Sequence, residues 1–318
     1  MTDQSVAPLG LVADIGRQSV RFALAGGAPG PAPRAIERVA TADHATFTDA
    51  LLAYLARAGL RDAALPSVLA VAGLPRGDVV NPTGSRWFIS LTGVEAVLRV
   101  RPRAINDFAA GALALQTLPA AEFRALHGTL GVPKRGGIYL VVGAGTGLGV
   151  AALVPAGGGF AAVQSEAAHM CFAPRSPADT RLVEQLRRAG PTVSNEAVLS
   201  GGGLVAAWRA AGGASTVAQA EEVTRLAVRD PTARAALDSF AGALGAVVGD
   251  LVLAFGAWDG VYLTGAIAQA IAPTLAGPAF RDRMVGGGPH RRQLGQVPVA
   301  LVGRGDLELI GAAAALAG

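Results

Sequence analysis

Between Ile138 and Leu153 the chain reads IYLVVGAGTGLGVAAL, two apolar runs flanking a turn that carries Gly143, Gly145, Thr146, Gly147 and Gly149. Short β-prone runs joined by glycines fold as a strand, a tight turn and a second strand. Glycine adopts φ > 0 and lets another molecule come close to the backbone. Exposed N–H groups and the Thr146 hydroxyl are what an anionic oxygen requires, so a phosphate fits this turn. A hairpin with no ligand accounts for the same residues. Three other stretches bear on the choice.

At 318 residues the chain has room for two domains and a large core. Hydrophobic residues make up 51% and charged ones 16%, which excludes a disordered chain. The single cysteine, Cys171, rules out a disulfide framework and a multi-cysteine zinc site, and fits a reducing cytoplasm. No charged segment precedes an apolar one at the N-terminus, so no signal peptide is expected. The apolar run between Asp238 and Asp250 is too short to span a bilayer and is interrupted by Gly242, Gly245 and Gly249, predicting a buried helix. The net charge is +4, with Lys134 the sole lysine and the arginines dispersed. The densest basic stretch, Arg281 to Arg292, lacks interleaved aromatics, which argues against a nucleic-acid partner.

Residues 10 to 25, GLVADIGRQSVRFALA, predict a strand, a turn at Gly16 and a second strand in which Val20, Phe22 and Leu24 alternate with Ser19 and Arg21. Asp14 stands beside that turn, where a carboxylate can hold a hydrated Mg²⁺ that neutralises phosphate charge. An Asp that only closes a β-turn fits too. A Gly/Pro loop at 26–34, an amphipathic helix over Thr46–Ala58 and a buried strand at Pro66–Ala72 follow. Residues 76–90 read as a strand, a turn at Pro82 to Gly84 and a strand edge carrying Trp87. A helix over Gly93–Leu98 leads into a strand at Arg103–Ile105.

Asn106 is an N-cap for the next helix, with Asp107 its first or second residue. An Asp between a strand's C-terminal end and a helix N-terminus lies at the mouth of an open α/β sheet, where ligands bind. The helix dipole favours its ionised form, so it can accept a proton from a substrate hydroxyl. Capping alone is the plainer reading of both residues. After a loop at 156–160, Glu166 and His169 are spaced i, i+3, and one helical turn brings them to one side. A carboxylate and an imidazole make a hydroxyl-binding pair; zinc would need a third ligand, for which Cys171 is the sole nearby candidate. Helices are expected from Ser176 to about Ala189, over Leu204–Ala211, Thr216–Val228 and Pro231–Phe255, with Glu196 ahead of a turn at Ser200 to Gly203. Gly260–Gly265 is a strand feeding a helix near Ile267, and the chain closes with a strand at Val297–Val302 and a helix at Leu309–Leu316.

The dinucleotide fingerprint is absent, since Leu148 occupies its third glycine position, and the P-loop is absent, since Lys134 is followed by Arg135. There is no G-x-S-x-G nucleophile elbow. Strands alternate with helices, and Asp14 to Arg21 and Gly143 to Val150 form a weak internal repeat. That repeat predicts two related α/β domains around a cleft.

Five stretches in one order, INDFAAGALAL (105–115), VVGAGTGLGVAALV (141–154), SEAAHMCFAP (165–174), VSNEAVLSGGGL (193–204) and GDLELIGAAAAL (305–316), resemble the bacterial glucokinase family of the hexokinase-like, actin-type ATPase superfamily. The resemblance spans nearly the whole chain. It implies two actin/hexokinase-like (ribonuclease H-like) domains: a small one over 1–108 completed by 299–318, and a large one over 109–298. It implies transfer of the ATP γ-phosphoryl group to the 6-hydroxyl of glucose, with Asp107 as general base and Asn106, Glu166, His169 and Glu196 binding sugar. Asp14 and Gly16 would lie at the phosphates and Mg²⁺, Gly145 and Thr146 would grip phosphate from the other domain, and Gly265 would approach the adenosine. A homodimer is implied as well; the lone cysteine and the short apolar runs make the expectation cytoplasmic, with no membrane partner.

Two stretches depart from the family. Its first phosphate loop, Asp-x-Gly-Gly-Thr, is here Asp14-Ile15-Gly16-Arg17-Gln18, so a glycine and a hydroxyl are lost. Arg17 can pair with phosphate or crowd it. The family's Thr-Asn-His-x-Trp loop is here Thr83-Gly84-Ser85-Arg86-Trp87, losing two polar groups near the sugar. These departures keep two alternatives open: a sugar-binding sensor or regulator with weak or no kinase activity, and a kinase for another hexose.

Overall fold

A computed structural model of the chain describes residues 9–26, 32–188 and 190–317. Most of the Gly/Pro stretch at 26–34, Ala189, and the opening residues on which the leader reading rests lie outside the described residues. In chain order the elements are β1 (Gly10–Ile15), β2 (Ser19–Ala25), β3 (Arg34–Ala40), α1 (Phe47–Arg57), β4 (Ser67–Val71), β5 (Val79–Val80), β6 (Ile89–Ser90), α2 (Leu91–Leu98), β7 (Arg103–Asn106) and α3 (Asp107–Ala114). Next come β8 (Phe123–His127), β9 (Tyr139–Ala144), β10 (Leu148–Ala156), β11 (Gly159–Ser165), α4 (Pro177–Leu186), α5 (Asn195–Leu199), α6 (Gly201–Ala210) and α7 (Ala220–Leu226). The chain ends with α8 (Pro231–Phe255), β12 (Gly260–Thr264), α9 (Ala266–Ala270), α10 (Ala272–Leu275), α11 (Pro278–Val285), α12 (Arg291–Leu294), β13 (Val299–Val302) and α13 (Leu307–Ala317).

The described residues form two compact units. One ends at Leu118 and regains the segment from Asp306 onward; the other is Pro119–Gly305. The first holds a five-stranded sheet of order β3-β2-β1-β4-β7, the second a six-stranded sheet of order β11-β10-β9-β12-β13-β8. In both, an antiparallel hairpin leads to an edge while the hairpin's first strand continues into two parallel neighbours. The repeat read from the two glycine turns is therefore a repeat of sheet topology. The break falls after Leu118 because α3 packs on α13 in the first unit, and β13 stays in the second sheet because it pairs with β12 and β8.

Local chemistry places the ends of the elements. Thr46 and Asp49 close a capping box on α1, and Ser176 caps α4 with Pro177 in its first turn. Several expectations are corrected. The loop expected at 156–160 is a two-residue turn, and Gly159–Ser165 is an edge strand that its polar, half-exposed residues concealed. Glu196 lies in the first turn of the short helix α5, and Gly201 to Gly203 form the first turn of α6 with Ser200 as its cap. The helix expected over 216–228 is shorter, Ala220–Leu226. Trp87 is 2% exposed and sits in the core against Phe47.

α8 has 25 residues, so the apolar run read as too short belongs to a helix that by length and composition could cross a membrane. In this fold 78% of its most apolar window is buried inside the protein, which makes it a core helix. Its glycines let α11 approach backbone to backbone. A Cβ on Gly245 would lie 2.1 Å from the Phe280 carbonyl oxygen, and one on Gly249 would lie 2.3 Å from that of Met284. Gly245→Ala gains helix propensity but forces this pair of helices apart, so a net loss of about 1–3 kcal/mol is expected. Thermal unfolding should show a lowered melting temperature. Gly242→Ala, whose nearest neighbour is the flexible Arg283 side chain at 2.9 Å with backbone no closer than Ala279 O at 3.4 Å, should lose less.

Candidate active site

The site residues predicted from sequence fall into two groups, one in each unit. In the first unit, β1, β4 and β7 run parallel, and pairing of Ile15 with Val71 and of Val71 with Asn106 brings their C-terminal ends level. Main-chain bonds tie these ends together: Ala72 N donates to Ile15 O at 3.1 Å and Thr83 N to Ala72 O at 2.8 Å. Asn106 is 4% exposed and satisfies two partners at once. Its Oδ1 accepts from Ala109 N at 3.0 Å, capping α3, and its Nδ2 donates to Gly73 O at 3.0 Å. One amide hydrogen and one lone pair remain for any ligand.

Asp107 is the first residue of α3. Its Oδ1 accepts from Phe108 N at 2.9 Å, which leaves Oδ2 for other work. Burial pushes its pKa up to about 7; the nearby charges of Asp14 and Glu308 add to the rise, and the Phe108 N–H opposes it. A carboxyl titrating there is poised between acid and base at neutral pH.

Asp14, at the end of β1, is not a bare carboxylate. Arg21 Nε donates to its Oδ2 at 2.8 Å, and Arg21 Nη2 donates to Glu308 Oε2 at 2.8 Å. Burial raises the pKa of Asp14, with Arg21 opposing the shift; burial and then Asp14 raise that of Glu308. Arg21 and Glu308 were not singled out as functional in the sequence. By its pattern Arg21 is the outward half of an alternating strand, and Glu308 stands in GDLELIGAAAAL with nothing local to mark it. No group of three or more His, Cys, Asp or Glu side chains suited to a metal occurs among the described residues. Magnesium often takes only one or two carboxylates, completing its shell with water and substrate phosphate. Asp14, with Oδ1 outside its Arg21 bond, fits that manner of binding. Gly16 N closes the β1–β2 turn on Ser19 O at 3.0 Å.

In the second unit, the β9–β10 turn closes through Gly145 N to Gly147 O at 2.9 Å. Gly145 O accepts from Gly201 N at 2.9 Å, which fixes the turn to the start of α6. Thr146 is exposed at its tip. Gly265 has φ +94, and a Cβ there would lie 2.3 Å from Ala144 O, so packing alone demands glycine. A Cβ on Gly145 would meet nothing closer than Ala266 N at 3.8 Å, so nothing inside the protein demands glycine at that position.

Glu196 reaches the same turn from α5. Its Oε2 accepts from Leu148 N at 3.0 Å and lies 2.5 Å from where a Gly147 Cβ would be. Glu166 Oε2 and His169 Nε2 are 3.5 Å apart across a 3₁₀ turn over Ala167–His169. Asn195, 4% exposed, joins the two segments: its Nδ2 donates to Ala167 O at 3.0 Å and its N to Met170 O at 2.9 Å. The segment that carries Glu166 and His169 is thus tied to the start of α5, which carries Glu196, by a buried asparagine that the sequence does not single out.

The Glucokinase family model matches residues 11–318. A glucokinase of Stenotrophomonas maltophilia (strain K279a) is 37% identical over 316 residues, with 96% of this chain and 93% of that protein covered. A glucokinase of Nitrobacter hamburgensis is 34% identical over 319 residues, with 98% of each covered. The crystal structure of a glucokinase from an Antarctic psychrotroph has a TM-score of 0.82 at 31% identity, covering 97% of this chain and 98% of that one.

The raised pKa of Asp107 has a stability consequence. The folded chain holds this proton more tightly than the unfolded chain does, so ionisation opposes folding. The penalty grows as pH rises from about 4, where an unfolded Asp titrates, to about 7, and is complete above that. Asp107→Asn removes it. The variant should melt at a higher temperature than the wild type at pH 8, and the difference should shrink steadily as thermal scans move towards pH 4.

Proposed function

This chain belongs to the glucokinase family, and from that premise we propose how its residues divide the work. The activity is ATP-dependent phosphorylation of glucose to glucose 6-phosphate. Phosphoryl transfer needs an acceptor oxygen stripped of its proton and charge stabilisation around the moving phosphoryl group. Asp107 takes the proton of the 6-hydroxyl on its Oδ2 while the hydroxyl oxygen of the sugar bonds to the γ-phosphorus, and the bond from that phosphorus to the β–γ bridging oxygen breaks, so that ADP leaves. Asn106 binds sugar beside it. Glu166, His169 and Glu196 bind the remaining ring hydroxyls, two of them as acceptors with oxygens free for the task. Asp14 would hold Mg²⁺, which would offset phosphate charge. Gly16 admits phosphate to the first turn, Gly145 and Thr146 bind it at the second, and Gly265 approaches the adenosine. We also assign a homodimer on family resemblance, and a cytoplasmic site of action on the lone cysteine.

The observation that carries this reading is the state of Asp107, a partly buried carboxyl with one oxygen held by main chain and a pKa of about 7. General-base efficiency is greatest when the base titrates near the working pH. ADP release, coupled to a spectrophotometric reporter, should be seen with glucose from a panel of hexoses and should rise with pH through about 7. Asp107→Ala should lower kcat roughly a hundred- to ten-thousandfold while calorimetry shows glucose still bound. Glucose binding with no ADP release in the wild type would instead identify a sensor. Faster turnover of another hexose would reassign the substrate.

A further inference from the structure

The two departures from the family pattern touch each other. Arg17 lies in the β1–β2 turn, and its stem rests on Gly84 of the loop at 83–87. A Cβ on Gly84 would lie 2.7 Å from Arg17 Cδ and 3.4 Å from Cγ, and Gly84 has φ +69, so a side chain there would be strained as well as crowded. The backbone under Arg17 is held from the other side. Thr41 N donates to Gln18 O at 2.9 Å and Thr41 Oγ1 to Arg17 O at 3.4 Å. Arg86, another residue of that loop, fixes this segment in turn, its Nη2 donating to Thr41 O at 2.7 Å and His44 O at 2.6 Å.

The arginine so seated is exposed, and its guanidinium has no hydrogen bond or ion pair among the described residues. Its neighbours are committed. Arg21 is bound to Asp14 and Glu308, and Arg38 donates through Nε to Ser19 Oγ at 3.1 Å. Three carboxylates, Asp14, Asp107 and Glu308, influence one another in this unit, and Arg21 is already bound between two of them, so a polyphosphate arriving at the turn calls for a further cation. A planar cation with unspent donors, on a stem already held, answers that requirement at little further entropy cost.

We propose that Arg17, seated by Gly84 and Arg86, binds a β- or γ-phosphate oxygen of the nucleotide and replaces the glycine and hydroxyl that the family uses in this turn. The assignment rests on the nucleotide-binding reading above. It is tested by calorimetry with the non-hydrolysable triphosphate analogue AMPPNP plus Mg²⁺, and separately with AMP and with glucose. Arg17→Ala should weaken AMPPNP roughly ten- to a hundredfold, the loss of one or two charge-assisted bonds, and leave AMP and glucose affinity within about threefold. Arg17→Lys should lie between wild type and Arg17→Ala, and Gly84→Ala should weaken AMPPNP while still binding glucose. Unchanged or tighter AMPPNP binding by Arg17→Ala, with glucose binding retained, overturns the assignment and makes Arg17 a bystander or an obstruction. A wild type that binds glucose but no AMPPNP overturns the nucleotide reading itself, and this assignment with it.

Discussion

A carboxylate that serves as a base must be dry enough to hold a proton near neutrality and must not be tied up by a cation. In this chain Arg21 decides where the cation goes. Its guanidinium takes Asp14 on one side and Glu308 on the other, while Asp107 has, among the described residues, only main-chain N–H partners. Had Arg21 turned to Asp107, the ion pair would hold that carboxyl at the bottom of the carboxylate range and make it a feeble base. Burial pushes Asp107 the other way, and the charges of Asp14 and Glu308 nearby add to that push. The cost is a crowd of acids that the rest of the unit must hold in place.

What holds them is the end of the chain. Glu308 lies in the first turn of α13, 287 residues from its partner Arg21. The same helix packs on α3, the helix that begins with Asp107. Gly311 faces Ala110 so closely that a Cβ would fall 1.6 Å from the Ala110 carbonyl oxygen. Asp107, Arg21 and Glu308 are therefore set by one helix pair, of which α13 packs on β1, β4 and β2, and the interaction is among the least local between described residues. Such contacts cost chain entropy to form and are rewarded only once the unit is assembled.

This non-locality explains what the sequence could and could not reveal. Capping and glycine turns act within a few residues, so Asn106 over α3, the β9–β10 hairpin and the Pro231–Phe255 helix were legible as local patterns. The edge strands β3, β8 and β11 were not, because among their residues only Val39 is buried, so no alternation of buried and exposed positions marks them. Glu196 was found, but a run of glycines suggested a turn where helices α5 and α6 meet end to end at Ser200. Arg21, Glu308 and Asn195 carry no local signature at all. Each matters through a partner that only the fold supplies.

The altered loops show the same thing in sharper form. Taken singly, each looks like a loss: a glycine and a hydroxyl at 16–18, an asparagine and a histidine at 83–87. In the fold, Gly84 is the space into which the Arg17 stem fits, and Arg86 braces the Thr41 segment that holds the Arg17 backbone. A side chain at 84 would leave Arg17 no seat, and a glycine at 17 would leave the hollow over Gly84 empty. Residues in contact do not contribute additively, so neither loop can be judged alone. The chain carries one coupled rearrangement of its first turn, in which a guanidinium stands where close backbone approach is lost.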